Sequence, residues 1–140
     1  MRAPGRWSLV AAMLLVGGCA GGTTAADQEV TEHGRTYTAW FYDQEFDRLW
    51  ARFAPEMKAT FASASDLARF AGRTASRLGD ERAAGVVERV TRQDTVTVYS
   101  RTASFDKAPE RMLVEWTIGA SGLVTGFVIR PAAGDTAASS

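Results

Sequence analysis

The hydrophobic period of this chain changes once, at Gly79. Before that residue, apolar side chains recur at spacings of three and four; after it, they alternate. A helix repeats every ~3.6 residues and a strand every two, so the two patterns cannot share one element. A single switch from the first to the second gives helices followed by strands. That is an α+β order, distinct from the strand–helix alternation of parallel α/β sheets.

The helical half divides further. Tyr37, Trp40, Phe41 and Gln44 mark one apolar face from about Val30, and Phe46, Leu49, Trp50 and Phe53 mark a second. The break falls near Asp43–Glu45. Pro55 cannot continue a helix and should end the second one or start another turn, and Met57–Phe61 can add a short helical segment. Ser63-Ala64-Ser65-Asp66 reads as a capping box, with Asp66 reaching back to the Ser63 amide. Leu67, Phe70, Ala71, Thr74 and Leu78 then share a face, and Gly79 stands where a C-cap at positive φ belongs.

The alternating half predicts strands at Gly85–Arg92, Thr95–Phe105, Arg111–Gly119 and Leu123–Arg130, with a tight hairpin at Ala120-Ser121-Gly122. Met112, Val114, Trp116 and Ile118 fall on one face, as do Leu123, Thr125, Phe127 and Ile129. Leu113, Glu115 and Thr117 face the other way and are more polar. The expected fold is α+β: three N-terminal helices packed on one face of a curved four-stranded antiparallel sheet. The charged run from Glu81-Arg82 through Glu88-Arg89 to Arg92, with Arg101, reads as a solvated sheet surface.

The N-terminus has a different character. Arg2 and Arg6 precede Trp7–Val16, an apolar stretch of 10 residues. That is about half of the ~20 needed to span a bilayer and suits the core of a signal peptide. Val16-Gly17-Gly18-Cys19 resembles the lipobox of bacterial lipoproteins. The resemblance implies cleavage between Gly18 and Cys19, and diacylglycerol on the Cys19 thiol. Each buried methylene contributes about 0.8 kcal/mol, and several chains are needed for a firm anchor. The expected localisation is the cell envelope, with the protein lipid-anchored and facing the periplasm or the cell exterior. Ala20 in place of an aspartate favours the outer membrane of a Gram-negative cell.

The expected organisation is therefore a signal peptide over 1–18, a tether over 19–29, one α+β domain over 30–131 and a polar tail over 132–140. Removing residues 1–18 leaves 14 basic side chains against 16 acidic, a net charge of −2. Without a basic excess, nucleic acid is not an expected partner. Cys19 is the sole cysteine, which excludes an intramolecular disulfide.

A second resemblance rests on Phe41-Tyr42-Asp43-Gln44-Glu45-Phe46-Asp47-Arg48-Leu49-Trp50 and Phe53-Ala54-Pro55-Glu56-Met57-Lys58. Ser65-Asp66-Leu67, Leu78-Gly79 and the closing segment Gly122–Pro131 extend it over about residues 30–131. Together they resemble a small bacterial family of the nuclear-transport-factor-2-like superfamily. The resemblance implies a cone-shaped fold with a cavity between helices and sheet. Related domains often precede a serine hydrolase, which implies an accessory role beside a hydrolase on a separate chain.

Chemistry-bearing motifs are sparse. His33 is the sole histidine and reads as a solvated residue at the start of the first helix; no metal cluster, phosphate loop or G-x-S-x-G is present. No cofactor and no catalytic set are expected. The aromatics Tyr37, Trp40, Phe41, Trp50, Trp116 and Phe127 are either core or the lining of a pocket. Two functional classes follow. One is a non-catalytic binding domain for a small apolar ligand or an envelope protein, with a homodimer through the sheet face as one form. The other is a cavity enzyme of isomerase or dehydratase type, drawing on Tyr37, Asp43, Asp47, Tyr99 or Glu115, with a buried carboxylate of raised pKa.

Overall fold

The computed structural model of the chain describes residues 22–133. The expected signal peptide, Cys19 and residues 134–140 of the expected tail lie outside the described residues. Four helices come first: α1 (Ala25–Tyr42), α2 (Phe46–Ala51), α3 (Pro55–Phe61) and α4 (Ala64–Leu78). Four strands follow: β1 (Glu81–Gln93), β2 (Val96–Phe105), β3 (Met112–Ile118) and β4 (Val124–Pro131). They pair in sequence order as an open antiparallel meander.

The α+β order stands, but the helices number four rather than three. The reason lies at Phe53–Ala54. There the chain extends to make a parallel bridge between Phe53 and Val124. Ala54 N–H donates to the Val124 carbonyl at 2.8 Å, and Val124 N–H donates to Arg52 at 2.8 Å. This stitch forces α2 to end, and Pro55 at the first position of α3 restarts the helix without losing a needed N–H.

Helix α1 begins at Ala25, earlier than the Val30 that periodicity suggested. Thr24 and Asp27 form a complete capping box there, the signal that marks the true start. His33 consequently sits in mid-helix, half-buried and stacked on Tyr37 at 5.9 Å, rather than solvated at a helix start. Gln44, expected on the α1 face, instead takes a φ of 62° and turns the corner into α2. At α4 the Ser63 hydroxyl caps the Asp66 amide as expected, while the Asp66 carboxylate engages Arg69 and the Ser63 hydroxyl rather than the Ser63 amide.

Register explains one change in the sheet. A bulge between Thr117 and Ile118 pairs Ile118 with Val124 and Thr117 with Gly126. It brings Val124, rather than Leu123 and Thr125, into the core beside Phe127 and Ile129. Trp116, Tyr37, Tyr99, Leu49, Leu67, Val114 and Val124 are all fully buried between helices and sheet.

One polar chain crosses this core. The Trp116 indole N–H donates to Thr38 Oγ1 at 2.9 Å, and the Thr38 hydroxyl donates to the Gly34 carbonyl at 2.7 Å. Thr38→Val keeps the shape and removes the acceptor. The stranded indole N–H should cost about 1–3 kcal/mol, read as a lower urea midpoint with unchanged slope. An unchanged midpoint would show that the indole has another partner.

Candidate functional site

Two regions concentrate polar groups: the layer between α1 and the sheet, and the sheet's open outer face. In the first, alternation on β1 and β2 carries Glu88 and Arg101 to the inner face, where they pair in register. Arg101 donates through Nε to Glu81 at 3.0 Å and through NH1 to Glu88 at 2.9 Å. Arg35 on α1 donates through Nε to Glu88 at 2.9 Å. Tyr42 donates to Glu81 at 2.9 Å, and Tyr99 donates to Glu88. The Glu81 side chain retains only 11% of its exposure and Arg101 20%. The charged run is therefore not a solvated surface as expected; part of it is a closed network beneath α1.

The network fixes its own charge states. The Arg35 hydrogen bond, with help from Tyr99 and Arg101, holds the Glu88 carboxyl down at about 2. Burial, then the neighbouring Glu81 charge, pushes the Tyr42 phenol far above its ordinary range. Burial and the bond to Glu88 do the same to Tyr99. Two carboxylates thus meet two guanidiniums, and each phenol stays protonated as a donor. A general base poised near neutral pH is not formed by such a set.

The candidate pocket aromatics pack on one another. Tyr37, Phe41 and Trp116 are buried; Trp40, Trp50 and Phe127 are half-buried. Trp116 and Phe127 approach to 4.3 Å between ring centres, and Phe41 and Phe127 to 5.0 Å. Trp50 lies at the far end, against Phe53 and under the Lys58 ammonium at 5.6 Å. Of the six, only Phe41 borders an interior hollow, a space of about 110 Å³ walled also by Tyr42, Thr74, Glu81 and Phe105. Small-molecule sites usually run to ~300 Å³ or more.

The carboxylates weighed for acid–base chemistry do not enter that space. Asp43 and Asp47 are exposed near the α1–α2 corner. Glu115 faces outward from β3 and accepts a hydrogen bond from Ser100 at 3.1 Å. Tyr37 and Tyr99 are inside, but Tyr99 is committed to Glu88, and the Tyr37 hydroxyl has no hydrogen-bond partner among the described residues. No group of three or more His, Cys, Asp or Glu side chains is placed to hold a metal among the described residues.

The outer face is the larger concavity. A hollow of about 730 Å³ lies over Val87, Arg89, Ser100, Leu113 and Glu115, with Arg111 at its rim. The Arg111 guanidinium donates to the carbonyls of Gly85 and Thr102, tying the start of β3 across β2 to the bulged part of β1. Val87 and Val128 are the most exposed large apolar residues of the described chain and both lie on this face.

Comparison with protein-family models, with curated proteins and with solved structures finds no match to this chain. Among the described residues, no helix is long and apolar enough to cross a membrane.

Proposed function

We propose that this chain is a lipid-anchored envelope protein whose folded part is a non-catalytic binding domain, held near the membrane through Cys19 and presenting its open sheet face to a protein. We propose further that the helices and the curved meander form a cone of the nuclear-transport-factor-2-like kind. The observation that carries the binding role is the contrast between the two sides of the sheet. Inside, the hollow between α1, α4 and the sheet is about 110 Å³, a more open one of about 690 Å³ lies at the edge between α1 and β1, and the ionisable groups of the inner network are paired with one another. Outside, the hollow is about 730 Å³, with aliphatic and charged side chains interspersed. Mixed patches of this kind suit protein partners, which need apolar contact and charge matching together. The anchor is supported by the run from Arg2 to Cys19, including the sole cysteine.

Two measurements test this reading in cells. Cys19→Ser should abolish incorporation of labelled fatty acid and leave uncleaved precursor; persistent labelling would overturn the anchor. A photo-crosslinking residue at Leu113 should give a discrete adduct, whereas one at the exposed Ser76 of α4 should give none. Equal patterns from both positions, or no adduct from Leu113, would overturn the binding role of the sheet.

A further inference from the structure

The hollow of about 690 Å³ at the edge of the fold has α1 for one wall and β1 for the other. The α1 wall includes Gln28, Glu32 and Arg35, the β1 wall includes Arg89, and Gly22 and Thr23 at the start of the described chain line it too. Two ion pairs tie the walls together: Arg92 to Asp27 at 2.6 Å and Arg35 to Glu88 at 2.6 Å. They hold α1 against β1 and engage both acids. Arg89 and Glu32 have no ion-pair partner among the described residues, and they do not pair with each other. The groove therefore presents one free cation and one free anion with open space between them. β1 is also an edge strand, so alternate backbone N–H groups along it have no strand partner.

Position decides what this groove meets. Gly22 follows Cys19 by three residues, a reach of at most ~11 Å for an extended chain. The headgroup layer of a bilayer is itself ~5–8 Å thick. With lipid on Cys19, the wall at Gly22 stays within that reach of the headgroups, whatever path the linking residues take. We infer that the groove receives a phospholipid headgroup of the bilayer that holds the chain, with Arg89 on the phosphate and Glu32 on the ammonium of an ethanolamine group. The inference rests on the anchor proposed above, and adds which side of the domain the membrane touches.

The chemistry of the two walls fits a zwitterion. A guanidinium offers parallel N–H donors that match phosphate oxygens, and a carboxylate accepts from an ammonium. Glu88 and Asp27 do not compete for the ligand's ammonium, because Arg35 and Arg92 already neutralise them. One headgroup contact is weak by itself; the anchor supplies the effective concentration that makes it form. With the β1 edge against the bilayer, the sheet stands upright on the membrane. Its outer face then opens sideways, towards the protein partner proposed above.

The test uses the full lipidated chain in nanodiscs, read by hydrogen–deuterium exchange. Three bilayers are compared: a digalactosyl lipid without phosphate, the same lipid mixed equally with phosphatidylethanolamine, and the same mixed equally with phosphatidylglycerol, which has phosphate but no ammonium. Exchange over Glu88–Arg92 should be at least ~5-fold slower in both phosphate-bearing bilayers than in the galactolipid. The turn at Asp106–Glu110, beyond the far end of β2, should exchange alike in all three. Arg89→Glu should abolish the slowing in both phosphate-bearing bilayers, and Glu32→Gln only in the ethanolamine one. Both side chains are exposed, so both variants should keep the wild-type urea midpoint. Equal exchange in the three bilayers, or slowing that survives Arg89→Glu, would overturn the headgroup site. Slowing in the ethanolamine bilayer that survives Glu32→Gln would overturn the pairing with the ammonium. A chain that carries no lipid and does not co-migrate with the discs would overturn the anchor and this inference with it; one that co-migrates but exchanges equally would overturn the headgroup site alone.

Discussion

Gly34→Ala should lower the stability of this domain by about 2–3 kcal/mol, although alanine is the better helix former by about 1 kcal/mol. Gly34 lies in the middle of α1 and is buried. A Cβ built there would fall 2.2 Å from both Cγ and Cδ1 of Tyr99. The ring cannot swing away easily. It is fully buried, and its hydroxyl is held by Glu88. The helix must therefore lift from β2, disturbing the Thr38–Trp116 link one turn on. Urea unfolding of the purified variant gives the number. The cause is checked in a Tyr99→Ala background, where the space is open and Gly34→Ala should be neutral or stabilising. A Gly34→Ala protein as stable as wild type would show that the approach of α1 to the sheet is looser than described.

Arg101→Met should cost about 3 kcal/mol at neutral pH, because it strands Glu81 and Glu88 under α1 with one guanidinium between them. The penalty comes from leaving charges unpaired, so Arg101→Met combined with Glu81→Gln and Glu88→Gln should recover most of the loss. Acid gives a second reading. In the wild type the Glu88 carboxyl is depressed from 4.5 to about 2. Its contribution is full above the unfolded value, and is lost as pH falls from 4.5 towards 2. In the variant Glu88 has lost the Arg101 part of that depression, so it has less to lose in acid. The gap between the two proteins should therefore narrow on going from pH 7 to pH 3.5. Denaturation at those two pH values decides the point, and a gap that widens in acid would rule out this account.

The fold was legible where local patterns act alone. The switch of period at Gly79 separates helices from strands, and Ser63 and Gly79 bound α4 as expected, with Gly79 at a φ of 71°. The alternation on β3 predicts which residues Trp116 joins in the core. What failed depends on distant partners. Pro55 marks the division into α2 and α3 locally, but the extended stretch at Phe53–Ala54 is set by Val124, far along the chain. The bulge that buries Val124 in place of Leu123 likewise depends on how β3 and β4 meet. The inner ion network was within reach: Arg101 shares its parity with Tyr99 and Ala103, so it had to turn inward with them. Treating the charges as one surface run concealed that. The start of α1 was also readable, from Thr24 and Asp27.

The stitch between Phe53 and Val124 has a consequence for the order of events during synthesis. The meander is built from neighbouring hairpins, which can close as each strand emerges. The α2–α3 junction has no such local partner. Its backbone groups at Arg52 and Ala54 must wait for Val124, which enters near the end of the chain. Closing so long a loop carries an entropic cost that only the finished sheet offsets. The helical half is thus committed last, although it is made first. Truncation before β4 should leave a chain with helical propensity but without a closed core.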